Sequence, residues 1–246
     1  MAESYVIMHL YNPEQGREGD LTAYFRETHV PRVLALRGIE GVQRFRVTDK
    51  QLMAECAQPW RYAVKYDFRT DTPQIDIPAL GALLADMRDA GLIAADGAER
   101  THSYRMYHEW KYSSNLTPGE PLSHLMFLLA NITPGCDAEY HKWYDEVHSV
   151  EVSEAAGYVG MRRGKLSDVQ VPPVNYCPGS ELILGALQCD DLEFTIQDFI
   201  DRAYGRSPSG VAWSDRPKTA SIARTVHMAQ SVDGPYPATY LPTIKS

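Results

Sequence analysis

Two histidines lie 119 positions apart in closely similar surroundings. Residues 24–31 read Tyr-Phe-Arg-Glu-Thr-His-Val-Pro, and residues 143–150 read Trp-Tyr-Asp-Glu-Val-His-Ser-Val. Histidine titrates near neutral pH, so it can give or take a proton under ordinary conditions. His29 and His148 are therefore the leading candidates for general acid-base catalysis. The alternative is that each merely contacts the carbonyl groups at the end of a helix.

The same spacing continues on both sides of these segments. The matching pairs are Asn12 and Asn131, Gly38 and Gly157, Gly41 and Gly160, Arg44 and Arg163, and His108 and His227. A constant spacing over most of the chain predicts an internal duplication of one folding unit. Function should then lie in what the two copies share and in where they differ.

His108 and His227 are the second pair of candidate catalytic residues. Residues 101–111 form a predicted strand, on one face of which stand His102, Tyr104, Met106, His108 and Trp110. If that face lines a pocket, it offers proton donors beside aromatic walls. The corresponding positions of the second copy are small, which predicts that one site is roomy and the other filled. A buried histidine with satisfied hydrogen bonds is an equally good interpretation of either residue.

Arg44 and Arg163 are candidate substrate-binding residues. A guanidinium on an inward strand face can hold a carboxylate or enolate through two hydrogen bonds. An ion pair with Asp67 or with a helix carboxylate is equally plausible. The aromatic residues expected to line the same pocket are Tyr66, Tyr104, Tyr24 and Trp143.

One helix face of the second copy has the side chains of a metal site. His141, Asp145 and His148 stand at i, i+4 and i+7, which places them on one side of a regular helix. The first copy has Thr22 and Arg26 at the matching positions. We predict that no metal binds, and keep this helix face as the alternative.

Composition excludes several classes of partner. A formal net charge of -8 and a pI near 5.5 do not suit binding to nucleic acid, and 44% hydrophobic residues are typical of a globular protein. The sequence lacks a signal peptide and any apolar run of about 18 residues, which predicts a cytoplasmic protein with no membrane partner. It also lacks a dinucleotide-binding GxGxxG, a P-loop and a GxSxG segment, so we predict no cofactor.

Each half of the sequence predicts the element order β-α-β-β-α-β of a ferredoxin-like unit. The boundaries are 1–112 for the first repeat, 113–121 for a linker, 122–231 for the second repeat and 232–246 for an extended C-terminal tail. Each unit has helices on only one face of its sheet. Packing the two open faces together predicts the α+β class, with tandem ferredoxin-like repeats forming an α+β barrel. The tail could cross a neighbouring subunit, so a homo-oligomer is possible.

The helix segment of the first copy resembles a known family. The pattern Phe25-x3-His29-x-Pro31 leading to Gly38 is similar to the EthD-type branch of the dimeric α+β barrel superfamily, here with two units fused in one chain. Val150 replaces the proline in the second copy. The resemblance implies an enzyme, because the superfamily includes cofactor-free monooxygenases, cyclases, dehydratases and isomerases.

From these observations we predict a cofactor-independent lyase or isomerase that acts on a small apolar or aromatic substrate by histidine-mediated proton transfer. Two alternatives remain. The first is a cofactor-free monooxygenase that uses the same pocket to stabilise a carbanion for reaction with dioxygen. The second is a non-catalytic protein that binds a small ligand or serves in stress.

Overall fold

The computed structural model describes residues 2–206, 213 and 221–238, without the side chains of 221–223. Its helices are α1 (Glu18–Tyr24), α2 (Val30–Leu34), α3 (Pro73–Asp89), α4 (Asp137–Trp143), α5 (Ser149–Val152) and α6 (Leu192–Ala203). Its strands are β1 (Glu3–Tyr11), β2 (Ile39–Val47), β3 (Tyr62–Thr70), β4 (Arg100–Met106), β5 (Lys111–Tyr112), β6 (His124–Ile132), β7 (Tyr158–Leu166), β8 (Glu181–Leu187) and β9 (Ser221–Tyr236). Two π-helical turns, Phe25–His29 and Tyr144–His148, join α1 to α2 and α4 to α5.

The described strands form one antiparallel sheet that closes on itself. Its order is β4-β1-β3-β2-β9-β6-β8-β7, and β4 pairs in turn with β7 through Tyr104 and Leu166. β5 pairs with the same edge of β7, beyond the end of β4. The predicted fold class, an α+β barrel of tandem ferredoxin-like repeats, is confirmed.

Most strands of the barrel bury both of their faces because the barrel has an inner and an outer layer. In β1, Val6, Met8 and Leu10 belong to the core inside the barrel, and Tyr5 and Ile7 pack toward the helices. Successive strand residues point to opposite sides, so a strand buried on both faces has apolar residues throughout. Helices α1–α3 cover the first repeat and α4–α6 cover the second. Within the described residues, no helix is long and apolar enough to cross a membrane.

Two glycines make the turns that carry each long helix into the next strand. Gly38 and Gly157 have φ angles of 81° and 70°, in the left-handed region that favours glycine. A Cβ on Gly38 would lie 3.0 Å from the backbone oxygen of Arg69. The turns are equivalent in the two repeats and set the directions of β2 and β7.

The long helix is interrupted in both repeats. Pro31 predicts a break after His29, and the structure has α2 beginning at Val30. In the second repeat a π-helical turn likewise precedes Ser149, although no proline follows. The wide turn therefore belongs to the repeat rather than to Pro31, and in each copy it ends at the histidine.

The last strand of each repeat also differs from its predicted extent. β4 ends at Met106, so His108 lies in the bend after it and not on the predicted strand of residues 101–111. β9 continues to Tyr236 and thus includes the first residues assigned to the tail of 232–246. Residues 239–246 of that tail lie outside the described residues.

Hydrogen bonds made by two asparagines reproduce the offset of 119. Asn12 donates to the carbonyl oxygen of residue 59 at 2.9 Å and accepts from the backbone nitrogen of residue 61 at 2.9 Å. Asn131 makes the same two bonds with residues 178 and 180, at 3.0 and 3.1 Å. Equivalent atoms of the two repeats therefore have equivalent partners.

The offset changes before the last strand. Met8 pairs with His102, and its equivalent Phe127 pairs with His227. His227 therefore corresponds to His102, 125 positions earlier (227 − 102), and the proposed match with His108 is wrong. The physical reason is a longer connection between β8 and β9 than between β3 and β4.

A cluster of buried charges lies inside the barrel. The Asp67 carboxylate contacts the ammonium of Lys65 and lies 3.4 Å from Nη1 of Arg162. All three side chains are at most 2% exposed. These charges come from both repeats, since Arg162 belongs to β7, so the ion cluster ties the two halves of the barrel together.

Replacing Asp67 by asparagine should destabilise the protein by about 3–5 kcal/mol, because removal of one partner leaves buried cations without compensation. The free energy of unfolding from denaturant titration measures this. The control Asp71→Asn removes a carboxylate that is 69% exposed and lies 3.7 Å from Arg37, and should cost less than about 1 kcal/mol. Equal losses in the two variants would contradict a stabilising role for the cluster.

Candidate active site

His29 is fully buried in the first repeat. Its Nε2 lies 2.9 Å from the hydroxyl oxygen of Tyr66, and its ring stacks on Phe25 with 5.5 Å between centroids. Burial, with the charges of His9 and Arg32, lowers the pKa of His29 to about 3. This histidine is neutral at physiological pH, and its side chain has no face open to a substrate.

His148 faces a cavity of about 620 Å³ between the helices and the sheet of the second repeat. That volume is within the range of small-molecule sites. The sheet contributes mainly Met126, Leu128, Met161, Ile183, Arg224 and Val226. The helices and the segment after them contribute Trp143, Tyr144, His148, Val152, Phe199, Ile200, Ala203, Tyr204 and Trp213. The site is thus an apolar and aromatic cavity with few polar groups.

A single strand position accounts for much of the difference between the repeats. Tyr66 pairs with Ile7 in the first repeat, and Gly185 pairs with the equivalent Met126 in the second. Tyr66 covers His29, whereas the equivalent Gly185 has no side chain that could cover His148. Met126 takes part of the space, since a Cβ on Gly185 would lie 2.8 Å from its Cε.

The sequence predicts one roomy and one filled site but places the space on the wrong face. The small residues it relies on include Thr225 and Ala229 of β9. Ala229 belongs to the core inside the barrel. The cavity lies on the other side of the strand, where Val226 lines it.

The first repeat supplies one wall of this cavity. The loop after β2 places Leu52, Met53, Ala54 and Glu55 along it. Gln51 anchors the loop, because its amide donates to the carbonyl of Met228 at 3.0 Å and accepts from the Met228 nitrogen at 2.7 Å. Both repeats therefore build the site, which no pattern within one repeat could predict.

The His148 ring is held by aromatic side chains. It stacks on Trp143 with 4.3 Å between centroids and an angle of 13° between the planes. The edges of Tyr144 and Trp213 lie at centroid distances of 5.2 and 5.5 Å. The side chain keeps 19% of its surface exposed. An imidazole fixed in this way can exchange a proton with a molecule in the cavity.

The alternative metal site does not form among the described residues. No group of three His, Cys, Asp or Glu side chains there is arranged to bind a metal. Asp145 lies 2.7 Å from Nη2 of Arg163, whereas His148 packs among the rings of the cavity. The π-helical turn between His141 and His148 widens the helix, so the i, i+4, i+7 face of a regular helix is lost.

Both candidate arginines are engaged in ion pairs. Arg44 contacts the buried carboxylate of Asp233, and Arg163 contacts Asp145 of the adjacent helical turn. The guanidinium of Arg163 also lies over the ring of Tyr144, 4.7 Å from its centroid. The interpretation as ion pairs therefore describes these arginines better than direct substrate binding.

Tyr104 and His227 lie inside the barrel, away from the cavity. Both nitrogens of His227 have partners, Gln58 at 2.6 Å and Thr225 at 3.1 Å, and burial lowers its pKa to about 4. The Tyr104 hydroxyl donates to the carbonyl of Gly179 at 3.2 Å. These residues are satisfied parts of the core.

His108 and Tyr24 are not brought to His148 either. His108 Nδ1 lies 2.6 Å from the backbone oxygen of Glu109, and burial lowers its pKa. Tyr24 packs on the core of the first repeat. Of the predicted aromatic residues, Trp143 is the one that lines the cavity.

A buried carboxylate that no sequence pattern predicts, Glu181, lies at the start of β8. The oxygens of Glu181 each lie 3.0 Å from the Tyr107 hydroxyl. Burial raises the pKa of Glu181 to about 7, against the opposing effects of Tyr107 and Arg163. A charged residue in the otherwise apolar segment 181–187 is the signal that could have revealed it.

Comparisons by sequence find no relative: no protein-family model and no curated protein matches this chain. Similar folds do occur among solved structures. A proposed monooxygenase from Fusobacterium nucleatum subsp. nucleatum is 9% identical, with a TM-score of 0.55 and 94% of each chain covered. An anthrone oxidase-like protein is 10% identical, with a TM-score of 0.58 over 94% of this chain and 92% of that one. A proposed chlorite dismutase is 14% identical, with a TM-score of 0.57 over 95% and 96%.

These similarities show that the chain shares its fold with these proteins, whereas the EthD-type branch is not confirmed. They contradict the predicted lyase or isomerase activity, because similar structures are named for monooxygenase and anthrone oxidase-like proteins. The error arose because the fold and its histidines are compatible with several kinds of proton-transfer chemistry.

The raised pKa of Glu181 predicts how stability depends on pH. Between about pH 4.5 and 7 the folded protein keeps a proton that the unfolded chain has released, so this contribution is complete below about 4.5 and is lost as pH rises through about 7. Between pH 4.5 and pH 8, the free energy of unfolding of the wild type should fall by on the order of 3 kcal/mol relative to that of Glu181→Gln. Denaturant titrations across this range measure the difference. The exposed Glu139→Gln serves as control, and a difference between wild type and Glu181→Gln that is independent of pH would refute the assignment.

Proposed function

We propose that the protein is a cofactor-independent monooxygenase that oxidises an activated carbon of a small aromatic compound in the cavity of the second repeat. The cavity beside His148 carries the proposal, because it combines an apolar space of about 620 Å³ with a group able to move protons. The similar folds named for monooxygenase and anthrone oxidase-like proteins support the reaction class.

The walls of the cavity suit a planar aromatic ring. Methionine, leucine and valine side chains of the sheet form one side, and Trp143 and Tyr144 lie on the helix side. Aromatic rings pack favourably on such surfaces, at offset-stacked or edge-to-face distances. Glu55 supplies a carboxylate and Arg224 a guanidinium to the described wall. We assign Arg224 the role of attracting an oxygen anion of the substrate.

His148 would serve first as the base. A methylene group flanked by aromatic rings and conjugated with a carbonyl loses a proton readily, because the resulting carbanion is delocalised over the ring system. His148 accepts that proton on its imidazole. The apolar part of the wall reduces contact of the carbanion with water, which would otherwise compete as a proton donor.

The substrate carbanion itself reduces dioxygen, so the reaction needs no added reductant. One electron passes to dioxygen, and the two radicals combine to form a carbon–oxygen bond. His148 returns its proton to give a hydroperoxide. Loss of the second C–H proton and cleavage of the O–O bond then give a ketone and hydroxide, which takes up the proton as water. Overall, CH₂ and O₂ become C=O and H₂O.

Two finer predictions remain part of the proposal. The EthD-type resemblance rests on Phe25, His29, Pro31 and Gly38 of the first repeat. We propose that the equivalent segment of the second repeat, residues 143–150, takes part in the reaction. Its histidine, His148, faces a cavity, and His29 does not. Assembly as a homo-oligomer also remains a proposal.

Oxygen uptake in the presence of anthrone tests this function, because anthrone is a planar ketone whose methylene group is acidic. We expect wild-type protein to accelerate uptake well above the spontaneous rate, with anthraquinone as product. His148→Ala should lower kcat by roughly 10²–10⁴-fold, as is usual for loss of a general base. The matched variant His29→Gln should retain turnover, since His29 is 1% exposed. Circular dichroism shows whether each variant is folded, and equal rates for wild type and a folded His148→Ala would refute the role of His148.

A further inference from the structure

A carboxylate stands beside the proposed base. Glu151 follows His148 by one helical turn, and its Oε2 lies 3.9 Å from Nδ1 of the imidazole. The two side chains are 14% and 19% exposed. We propose that Glu151 is the positioning residue of the site, which orients His148 and strengthens it as a base. This inference rests on the proposed function, in which His148 takes the substrate proton.

The geometry assigns different tasks to the two imidazole nitrogens. Nδ1 is the nitrogen that faces Glu151. A carboxylate on that side favours the tautomer with a proton on Nδ1, which leaves the lone pair of Nε2 for the substrate. The separation of 3.9 Å is longer than a hydrogen bond, as is common for catalytic groups without a bound substrate.

Neighbouring contacts hold this pair in place. The Trp213 indole nitrogen donates to the backbone oxygen of Glu151 at 3.3 Å. The same indole ring meets the His148 ring at an angle of 85°, and Trp143 stacks on the imidazole. The plane of the imidazole is therefore fixed relative to the turn that carries Glu151.

The first repeat has the opposite charge at the equivalent position. Arg32 lies 119 positions before Glu151, and it pairs with Asp86 at 2.7 Å. Its charge is one of the causes that lower the pKa of His29, after burial and His9. A cation disfavours an imidazolium nearby, whereas a carboxylate favours one. The duplicated histidines thus differ in the sign of the charge beside them as well as in their access to a cavity.

Other groups face the same space. Glu55 of the loop after β2 and Arg224 of β9 are the charged side chains of the described cavity wall besides His148, and Tyr144 contributes its ring from the π-helical turn. Glu151 differs from Glu55 and Arg224 in facing Nδ1 of His148 from the next turn of its own helix. A substitution of Glu151 therefore tests its effect on His148 separately from the effects of Glu55 and Arg224.

The titration of His148 tests the inference without reference to turnover. Protein labelled with ¹⁵N at histidine gives imidazole signals, and the His148 signal is the one missing from His148→Ala. Glu151→Gln keeps an oxygen that can accept from Nδ1 but removes the charge. We expect its titration midpoint to fall by about one pH unit, a tenfold loss of proton affinity, with the tautomer unchanged. Glu151→Leu should lower the midpoint similarly and also mix the two tautomers.

Glu146→Gln is the matched control, because this carboxylate is exposed and pairs with Lys142 at 4.0 Å on the same helix. Its midpoint should equal that of the wild type. A midpoint unchanged in Glu151→Gln would overturn the inference. Failure of the wild type to consume oxygen would overturn the proposed function, yet the titration would still decide the role of Glu151. With oxygen uptake present, the acidic limb of the kcat/KM profile should move with the midpoint.

Discussion

Strand β9 is the element on which the architecture depends. It pairs along one edge with β6 of its own repeat and along the other with β2 of the first repeat. Together with the pairing of β4 and β7, this leaves the eight strands of the barrel without a free edge between the repeats. Closure also encloses the charges of Asp67 and Arg162, which come from different repeats. The loop after β2 is thereby held beside Met228, where it forms part of the cavity wall of the second repeat.

The two repeats share one fold but differ in how their side chains pack around the equivalent histidines. In the first repeat a tyrosine hydroxyl occupies Nε2 of His29, and close packing makes that histidine a neutral part of the core. In the second repeat Gly185 stands at the position of that tyrosine, and His148 faces an open space between helices and sheet. Because the unit is present twice, its two copies can be packed differently. The first copy can then serve stability and supply a wall, while the second keeps a cavity. The polar group at Glu181 lies on the same helix-facing layer of the second repeat.

The fold could be predicted because its signals are local and are repeated. Apolar strands, helical spacing and the constant offset define β-α-β-β-α-β twice, and closure follows from the need to cover two open sheet faces. The site could be predicted only in part. His148 and Trp143 were identified because they belong to the repeated segment, but the cavity depends on long-range packing by Met53 and Trp213. The equivalence of His227 and His102 follows from the strand register, and a constant offset in the sequence could not reveal it. An ion pair of Arg163 with a helix carboxylate was one of the two predicted alternatives, because an arginine on a strand that faces a helix has carboxylates within reach.

The central claim is that the substrate binds in the cavity beside His148, whereas the equivalent His29 is closed to it. A crystal structure of the protein soaked with anthraquinone, a planar and unreactive ligand, tests this claim most directly. We expect ring density between α4–α6 and the sheet of the second repeat, within contact distance of His148 and Trp143, and none beside His29. Density in the first repeat against His29, or inside the barrel beside His227, would contradict it.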